Sequence, residues 1–164
     1  MKHSLRIALI ALICLLGMSP LYAQHRSGKT ASNHSVSLTT LYGIEYSYEH
    51  RWNSGMSLIG RVGGGSEVYA CSDVYTLGKG FTATLEPRYY VNEEDFFSMK
   101  LNSTVLTPGT TLDLSLVPIY GIKRDYTEHW FCEFTIGGGV AYYSGNGGSL
   151  YFKPHLQFRI GFQF

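Results

Sequence analysis

LYFKPHLQFRIGFQF, residues 150–164, alternates between two kinds of side chain. Its even-numbered positions are all apolar, from Leu150 to Phe164, whereas its odd-numbered positions are mostly polar or charged. Because successive strand side chains point to opposite faces, the alternation predicts a β-strand between an apolar and a polar environment. Its fifteen residues exceed the usual strand length of about five or six, whereas a tilted strand that crosses a bilayer needs about 9–11. We therefore expect a membrane-spanning strand.

The same two-residue period recurs along the preceding sequence, interrupted by turn residues such as Asn-Ser-Gly at 53–55 and Pro-Gly at 108–109. It predicts seven strong strands, at about residues 36–52, 56–68, 81–91, 97–105, 112–122, 130–142 and 150–164. Single-chain bacterial membrane barrels have an even number of strands, so that both termini lie in the periplasm. Either a weak eighth strand precedes residue 36, or the barrel edge is completed in another way. We favour the weak strand.

The N-terminal region has the layout of an export signal. Lys2, His3 and Arg6 precede an apolar run that is too short to span a membrane, and a small residue, Ala23, follows. We therefore expect three regions: a signal peptide at 1–23, a flexible lead-in or weak first strand at 24–35, and an outer-membrane β-barrel at 36–164.

The composition excludes several classes of function. Charged residues make up 15% of the chain, against about 25% in an average globular protein. The formal net charge of +1 gives no electrostatic case for binding nucleic acid. No Cys and His residues have the spacing of a zinc site, so we expect neither a metal nor a cofactor.

The final strand ends in Phe164, with aromatics two and six residues earlier at Phe162 and Phe158. This ending is similar to the C-terminal assembly signal of bacterial outer-membrane barrels. Together with EYSYEHRW at 45–52 and EPRYYV at 86–91, the order of hairpins resembles the small outer-membrane barrels of OmpA/OmpX type over essentially the whole mature chain. The resemblance implies an all-β, antiparallel up-and-down transmembrane barrel of about eight strands. It also implies contact with outer-membrane lipid and insertion by the barrel-assembly machinery, but no particular activity.

The outward-facing aromatic residues are sorted by height along the predicted barrel. If Phe164 lies at the periplasmic end, as the resemblance implies, one group gathers near that rim as an interfacial girdle: Trp52, Tyr89, Phe97, Tyr120 and Trp130, with Phe162. A second group gathers near the opposite rim: Tyr42, Phe81, Tyr142 and Phe152.

The inward-facing positions carry most of the charge. Six acids face seven bases: Glu45, Glu49, Glu67, Glu86, Asp113 and Glu133 against Arg51, Arg61, Arg88, Lys100, Lys123, Lys153 and Arg159. Eight strands enclose an interior that side chains can fill, and an unpaired charge in that space is costly. The near balance therefore predicts an ionic network that plugs the lumen.

Three functions are compatible with this pattern. The first is a structural or minor-permeability barrel without enzymatic activity. The second is a lipid-modifying enzyme, which needs a nucleophile and a base within hydrogen-bond reach of each other; the available residues are His50, His129, His155, Ser98 and Ser115. The third is a surface binding module that uses exposed strand edges and the loop around Cys71. The sequence favours the first and leaves the ligand and the oligomeric state open.

Overall fold

The computed structural model describes residues 31–39, 43–52, 55–71, 74–107, 111–145 and 147–164. These residues form a closed barrel in which each strand pairs antiparallel with the next along the chain. Pairing of β1 with β8 closes the circle. The strands are β1 (Ala31–Thr39), β2 (Gly43–Arg51), β3 (Met56–Cys71), β4 (Val74–Tyr90), β5 (Asp95–Thr107), β6 (Thr111–Asp125), β7 (Trp130–Tyr143) and β8 (Ser149–Gln163).

The predicted eight-stranded, antiparallel, up-and-down barrel is confirmed. The predicted signal peptide at 1–23 and the beginning of the lead-in, 24–30, lie outside the described residues. Within the described ranges, no helix is long and apolar enough to span a bilayer.

The first hairpin differs from the prediction. The run at 36–52, which we interpreted as one strand, is divided between β1 and β2, and β1 starts at Ala31 inside the predicted lead-in. A period-two pattern does not reveal the break. Thr39 pairs with Gly43, four residues later, and because this separation is even, the even-numbered residues face outward on both strands. The start of β1 was missed because its outward positions carry Ser32 and His34, polar side chains that give no apolar face.

The second hairpin is longer than predicted. Our predicted loop at 69–80 is paired backbone up to Cys71 and again from Val74, with Gly65 opposite Gly80 and Cys71 opposite Val74. The apolar alternation is interrupted by glycine and serine at 63–66 and by glycine at 78 and 80. The backbone ladder continues through them because hydrogen bonding between strands does not need side-chain alternation.

The barrel presents opposite chemistry on its two faces. The fully buried residues include many charged and hydroxyl side chains that point into the lumen, whereas the exposed ones include thirty large hydrophobic side chains. A globular protein in water has the reverse distribution, with charged residues almost never buried unless paired. We call the rim that carries Ala31 and Phe164 the terminal rim, and the other the distal rim.

Candidate functional site: an ion-pair network in the lumen

Six buried charged side chains meet inside the barrel in what we call the ion-pair network. It consists of three arginines and three glutamates, so its formal charge cancels: Glu45 on β2, Arg61 on β3, Glu86 and Arg88 on β4, Glu133 on β7 and Arg159 on β8. Each stands at an inward position of its strand because of the period-two alternation.

Glu133 is the centre of the network. Arg88 donates to both of its carboxylate oxygens, with Nη1 2.8 Å from Oε2 and Nη2 2.7 Å from Oε1. Arg159 Nη1 donates to Oε1 at 2.9 Å, and Arg61 Nη2 lies 3.5 Å from the same oxygen. Bidentate arginine–carboxylate pairs of this kind are among the strong hydrogen bonds in proteins. One carboxylate therefore offsets charge from three guanidinium groups.

Two further carboxylates complete the network. Glu86 accepts a hydrogen bond from Arg88 Nε at 2.5 Å and another from Arg61. At the other end, Arg159 Nη2 lies 3.0 Å from Glu45 Oε2. Each of the three arginines thus contacts two glutamates, which compensates for the loss of water around buried charge.

The network bridges opposite walls of the barrel. Strands that are four apart in an eight-stranded ring face each other, and the pair between Arg61 of β3 and Glu133 of β7 joins two such strands. Arg88 lies on β4, the strand next to β3, and also reaches Glu133 across the lumen. Charged side chains consequently cross the full width of the lumen.

Two smaller clusters flank the network. Toward the terminal rim, Glu49 accepts hydrogen bonds from Lys123 Nζ at 3.1 Å and from the Tyr90 hydroxyl at 2.9 Å. Toward the distal rim, Lys153 Nζ donates to Asp113 Oδ1 at 2.6 Å, and Tyr151 donates to the other oxygen. Acid and base are thus paired at three levels of the lumen.

Two members of the predicted lumen set make other contacts. Lys100 is buried and its Nζ lies 3.4 Å from Gln157 Oε1. The guanidinium carbon of Arg51 sits 3.9 Å from the centre of the Tyr90 ring, the geometry of a cation–π contact. The Glu67 side chain lies outside the described part of the structure.

Two inward phenylalanines, which the sequence interpretation missed, cover glycines on the neighbouring strand. Phe96 pairs with Gly121 and Phe131 with Gly161, and each ring occupies the space that a Cβ atom on its glycine would take. Phe96 is completely buried, and the Arg88 guanidinium stacks 3.8 Å from its ring centre. The signal for such pairs is an inward aromatic opposite a glycine, which requires the strand register to be known.

A cavity of about 90 Å³ adjoins the network on its distal side. Its lining combines inward polar residues, among them Glu45, Lys100 and Lys153, with outward residues of β8, Pro154 and Leu156. The cavity therefore reaches from the lumen to the outside of the wall.

Comparison with known proteins gives one solved structure with a similar backbone. It is the Yersinia pestis outer membrane protein Ail in a phospholipid bilayer nanodisc, which is 13% identical, with a TM-score of 0.49 over 83% of this chain and 100% of that chain. No protein-family model matches this sequence, and no curated protein matches it either. The barrel assignment rests on the strand pairing of this chain itself.

The predicted assembly-signal residues lie on the outer face of β8 and at the residue that follows it. Phe162 and Phe164 are exposed and Phe158 is half-buried. Backbone hydrogen bonds join Phe164 to His34 in both directions, at 2.9 and 3.3 Å. The C-terminal residue therefore takes part in closing the barrel.

The predicted girdle residues are exposed near the terminal rim, and all of them except Trp52 lie in two groups. Tyr89, Phe97 and Tyr120 are cross-strand neighbours, with the Phe97 and Tyr120 rings 5.4 Å apart. Trp130 packs against Phe162 at the same separation of 5.4 Å. The fifth girdle residue, exposed Trp52, makes an edge contact with the ring of His50.

The residues considered for catalysis do not come together. Ser98 donates to the Pro87 carbonyl, the His155 ring contacts Thr135, and His129 lies against the Gln163 carbonyl. Ser115 is buried, and His50 instead contacts Ser32, with Nδ1 and Oγ 2.9 Å apart. That serine–histidine contact, which sequence reasoning missed, is exposed on the outer face.

The described contacts of the His50 ring are with Ser32 and Trp52, whereas a catalytic base is held by a third group that orients it. The described residues also contain no cluster of three or more His, Cys, Asp or Glu that could hold a metal ion.

Proposed function

We propose that this protein is an integral outer-membrane barrel whose lumen is closed by ion pairs, with a structural role and at most a minor permeability role. Closure pairs every strand with a neighbour on both sides, and such pairing of backbone N–H and C=O groups is what a hydrocarbon environment requires. The continuous bridge from Arg61 and Arg88 through Glu133 to Arg159 carries the proposal of a closed lumen.

The outer surface supports the membrane setting. Large apolar side chains are exposed on every strand, and Phe81 and Leu150 are 74% and 78% exposed. A soluble monomer rarely exposes a continuous apolar surface of this extent. A belt about 25 Å tall with aromatic residues at its edges is the outer face of an outer-membrane barrel. With the terminal rim in the periplasm, the girdle lies at the inner interface.

Fractionation tests the membrane setting. We expect the mature chain in the outer membrane, and we expect unboiled and boiled samples to migrate differently on a gel because folded barrels resist detergent. Recovery of the protein in the soluble periplasm would refute this part of the proposal.

Planar-bilayer recording tests the closed lumen. The wild-type barrel is expected to conduct very little, because charged side chains fill the width that ions would need. Arg159→Ala removes contacts to Glu45 and Glu133, so we expect it to lower the gel-shift melting temperature and to create a leak. A large, stable conductance of the wild-type barrel would contradict the closed lumen.

A matched control for Arg159→Ala is Arg124→Ala. Arg124 forms an ion pair with Glu94 at 2.8 Å, but both side chains are about two-fifths exposed, at 39% and 42%. An exposed pair contributes about 0–1 kcal/mol, so this substitution should leave melting and conductance near the wild-type values.

A further inference from the structure

Two histidines of the described strands, His34 on β1 and His50 on β2, stand at outward positions. The outer face around them is mainly apolar. Leu58 is the cross-strand neighbour of His50, and Phe164 is joined to His34 by backbone hydrogen bonds. Ionisable side chains in a membrane-spanning segment rarely face lipid, and those that do occur there mark functional sites. The two histidines are therefore a candidate binding site.

The ring of His34 is held by a tyrosine hydroxyl on the same face. Its Nδ1 lies 2.5 Å from the hydroxyl oxygen of Tyr46. The rings of Tyr48 and Phe164 flank it, with centroids 4.9 and 6.1 Å away. We assign the phenolic O–H as the donor to Nδ1. In a neutral imidazole the other nitrogen then carries the hydrogen, so Nε2 of His34 is an N–H donor.

The ring of His50 is held in the same way through two hydroxyls. Tyr48 donates its hydroxyl hydrogen to Ser32 Oγ at 3.1 Å, and Ser32 Oγ lies 2.9 Å from His50 Nδ1. Because Ser32 accepts from Tyr48, its own hydrogen is available for Nδ1 of His50. The Trp52 ring makes an edge contact with this imidazole at a centroid distance of 4.8 Å. Nε2 of His50 is therefore a second N–H donor, and among the described contacts neither Nε2 has an acceptor.

The two donors are close enough to share one ligand. His34 pairs with Tyr48 and Ser32 pairs with His50, so the histidines are diagonal neighbours on one face, a separation of about 7–8 Å or less. A phosphodiester has two unesterified oxygens that only accept hydrogen bonds, and it carries a negative charge, which strengthens such bonds. One phosphodiester can therefore bridge the pair by accepting once at each oxygen.

The height of the pair on the barrel matches that of a lipid headgroup. Ser32 is the second residue of β1 at the terminal rim, and Trp52, a girdle residue, follows His50 by two positions. Interfacial aromatic residues sit at the level of the headgroups. In the proposed orientation this is the inner leaflet, so the molecules that surround these two histidines are lipids.

We propose that His34 and His50 bind the phosphodiester group of a glycerophospholipid in the inner leaflet, each donating Nε2–H to one of its oxygens. This inference rests on the proposed membrane setting. The acyl chains of the lipid run toward the middle of the membrane along Val36 and Ile44, which are 44% and 59% exposed.

A third histidine at the same rim provides a matched control. His129 is exposed and stacks on Phe162 with ring centroids 5.3 Å apart. Its Nδ1 lies 3.2 Å from the backbone carbonyl oxygen of Gln163. A carbonyl oxygen only accepts, so Nδ1 of His129 carries the hydrogen and Nε2 of the neutral ring is an acceptor. Histidine-to-phenylalanine substitutions at 34, 50 and 129 therefore remove rings of similar size but opposite hydrogen-bonding capacity.

Native mass spectrometry of the purified barrel in dodecyl maltoside, a detergent without phosphate, counts the retained lipids. The probes are phosphatidylcholine and a diacylglycerol with the same acyl chains but no phosphate. We expect the wild type and His129→Phe to retain one phosphatidylcholine. His34→Phe and His50→Phe should each retain about tenfold less, the change that follows from losing one hydrogen bond to a charged group. Equal retention of phosphatidylcholine by all four proteins, none by the wild type, or equal retention of both probes by the wild type would overturn the proposal.

The hydrogen positions are tested by nitrogen-15 NMR of the imidazole rings. We expect the hydrogen on Nε2 in His34 and His50 and on Nδ1 in His129. Tyr46→Phe keeps the His34 ring but removes the hydroxyl that holds it, so this variant should give a mixture of the two neutral forms at His34 and weaker lipid retention. Hydrogens on Nδ1 of His34 and His50 in the wild type would contradict the site. Gel mobility and fractionation report separately on the membrane barrel, so failure of the lipid site is distinguishable from failure of the proposed function.

Discussion

Glu133→Gln is expected to lower the free energy of unfolding by about 3–5 kcal/mol, the cost of removing one partner from a buried ion pair. Glutamine keeps the size of the side chain but not its charge. Arg61, Arg88 and Arg159 all contact this carboxylate. Without it, three buried cations share the two remaining glutamates of the network.

The unfolding midpoint in urea, measured by tryptophan fluorescence in detergent micelles, checks this expectation. Glu94→Gln is the matched control because its ion pair with Arg124 is 42% exposed on the glutamate side. That variant should lose less than about 1 kcal/mol. Similar destabilisation of the two variants would show that burial of the network does not contribute to stability.

A double variant separates charge from packing. Replacing a buried ion pair with apolar residues of similar volume is often neutral or stabilising. Glu133→Leu combined with Arg88→Met should therefore be less destabilised than the sum of the two single substitutions. A strictly additive result would indicate that the two side chains do not interact.

The sequence alone was sufficient to predict the antiparallel barrel. The period-two alternation assigns Glu86, Arg88, Glu133 and Arg159 to one face, and all four are buried. The sequence allows this assignment because alternation is a local property of a strand and needs no knowledge of its neighbours.

The sequence was not sufficient for strand ends and contacts between strands. The β1–β2 break falls where the alternation stays in phase across Thr39 and Gly43. Which acid meets which base depends on the register, since Arg88 and Glu133 are 45 residues apart in the chain. A charge count predicts a balance but assigns no pair.

Contacts between an aromatic ring and a glycine on the next strand depend on register in the same way. Disturbing one of them should have a large effect on the stability of the barrel. Gly121→Val is expected to destabilise the barrel by about 1–3 kcal/mol, the range for inserting side-chain atoms into a filled interior. A Cβ atom on residue 121 would overlap the ring of Phe96. That ring has little room to move, because it is completely buried and contacts the Arg88 guanidinium, 3.8 Å from its centre, and the Tyr90 ring, 5.5 Å away.

Gly60→Val is the matched control for Gly121→Val. Both glycines lie in strands, and neither has a positive φ among the described residues, so valine suits the backbone at both positions. At residue 60 an added Cβ meets no atom within 4 Å. Replacing a glycine without strain stabilises a protein by about 0.4–1 kcal/mol through the unfolded state, so Gly60→Val should be neutral or slightly stabilising.

Adding Phe96→Leu should partly rescue Gly121→Val, because the smaller side chain frees the space that the valine needs. Equal stability of the Gly60 and Gly121 variants would show that Phe96 does not pack on Gly121.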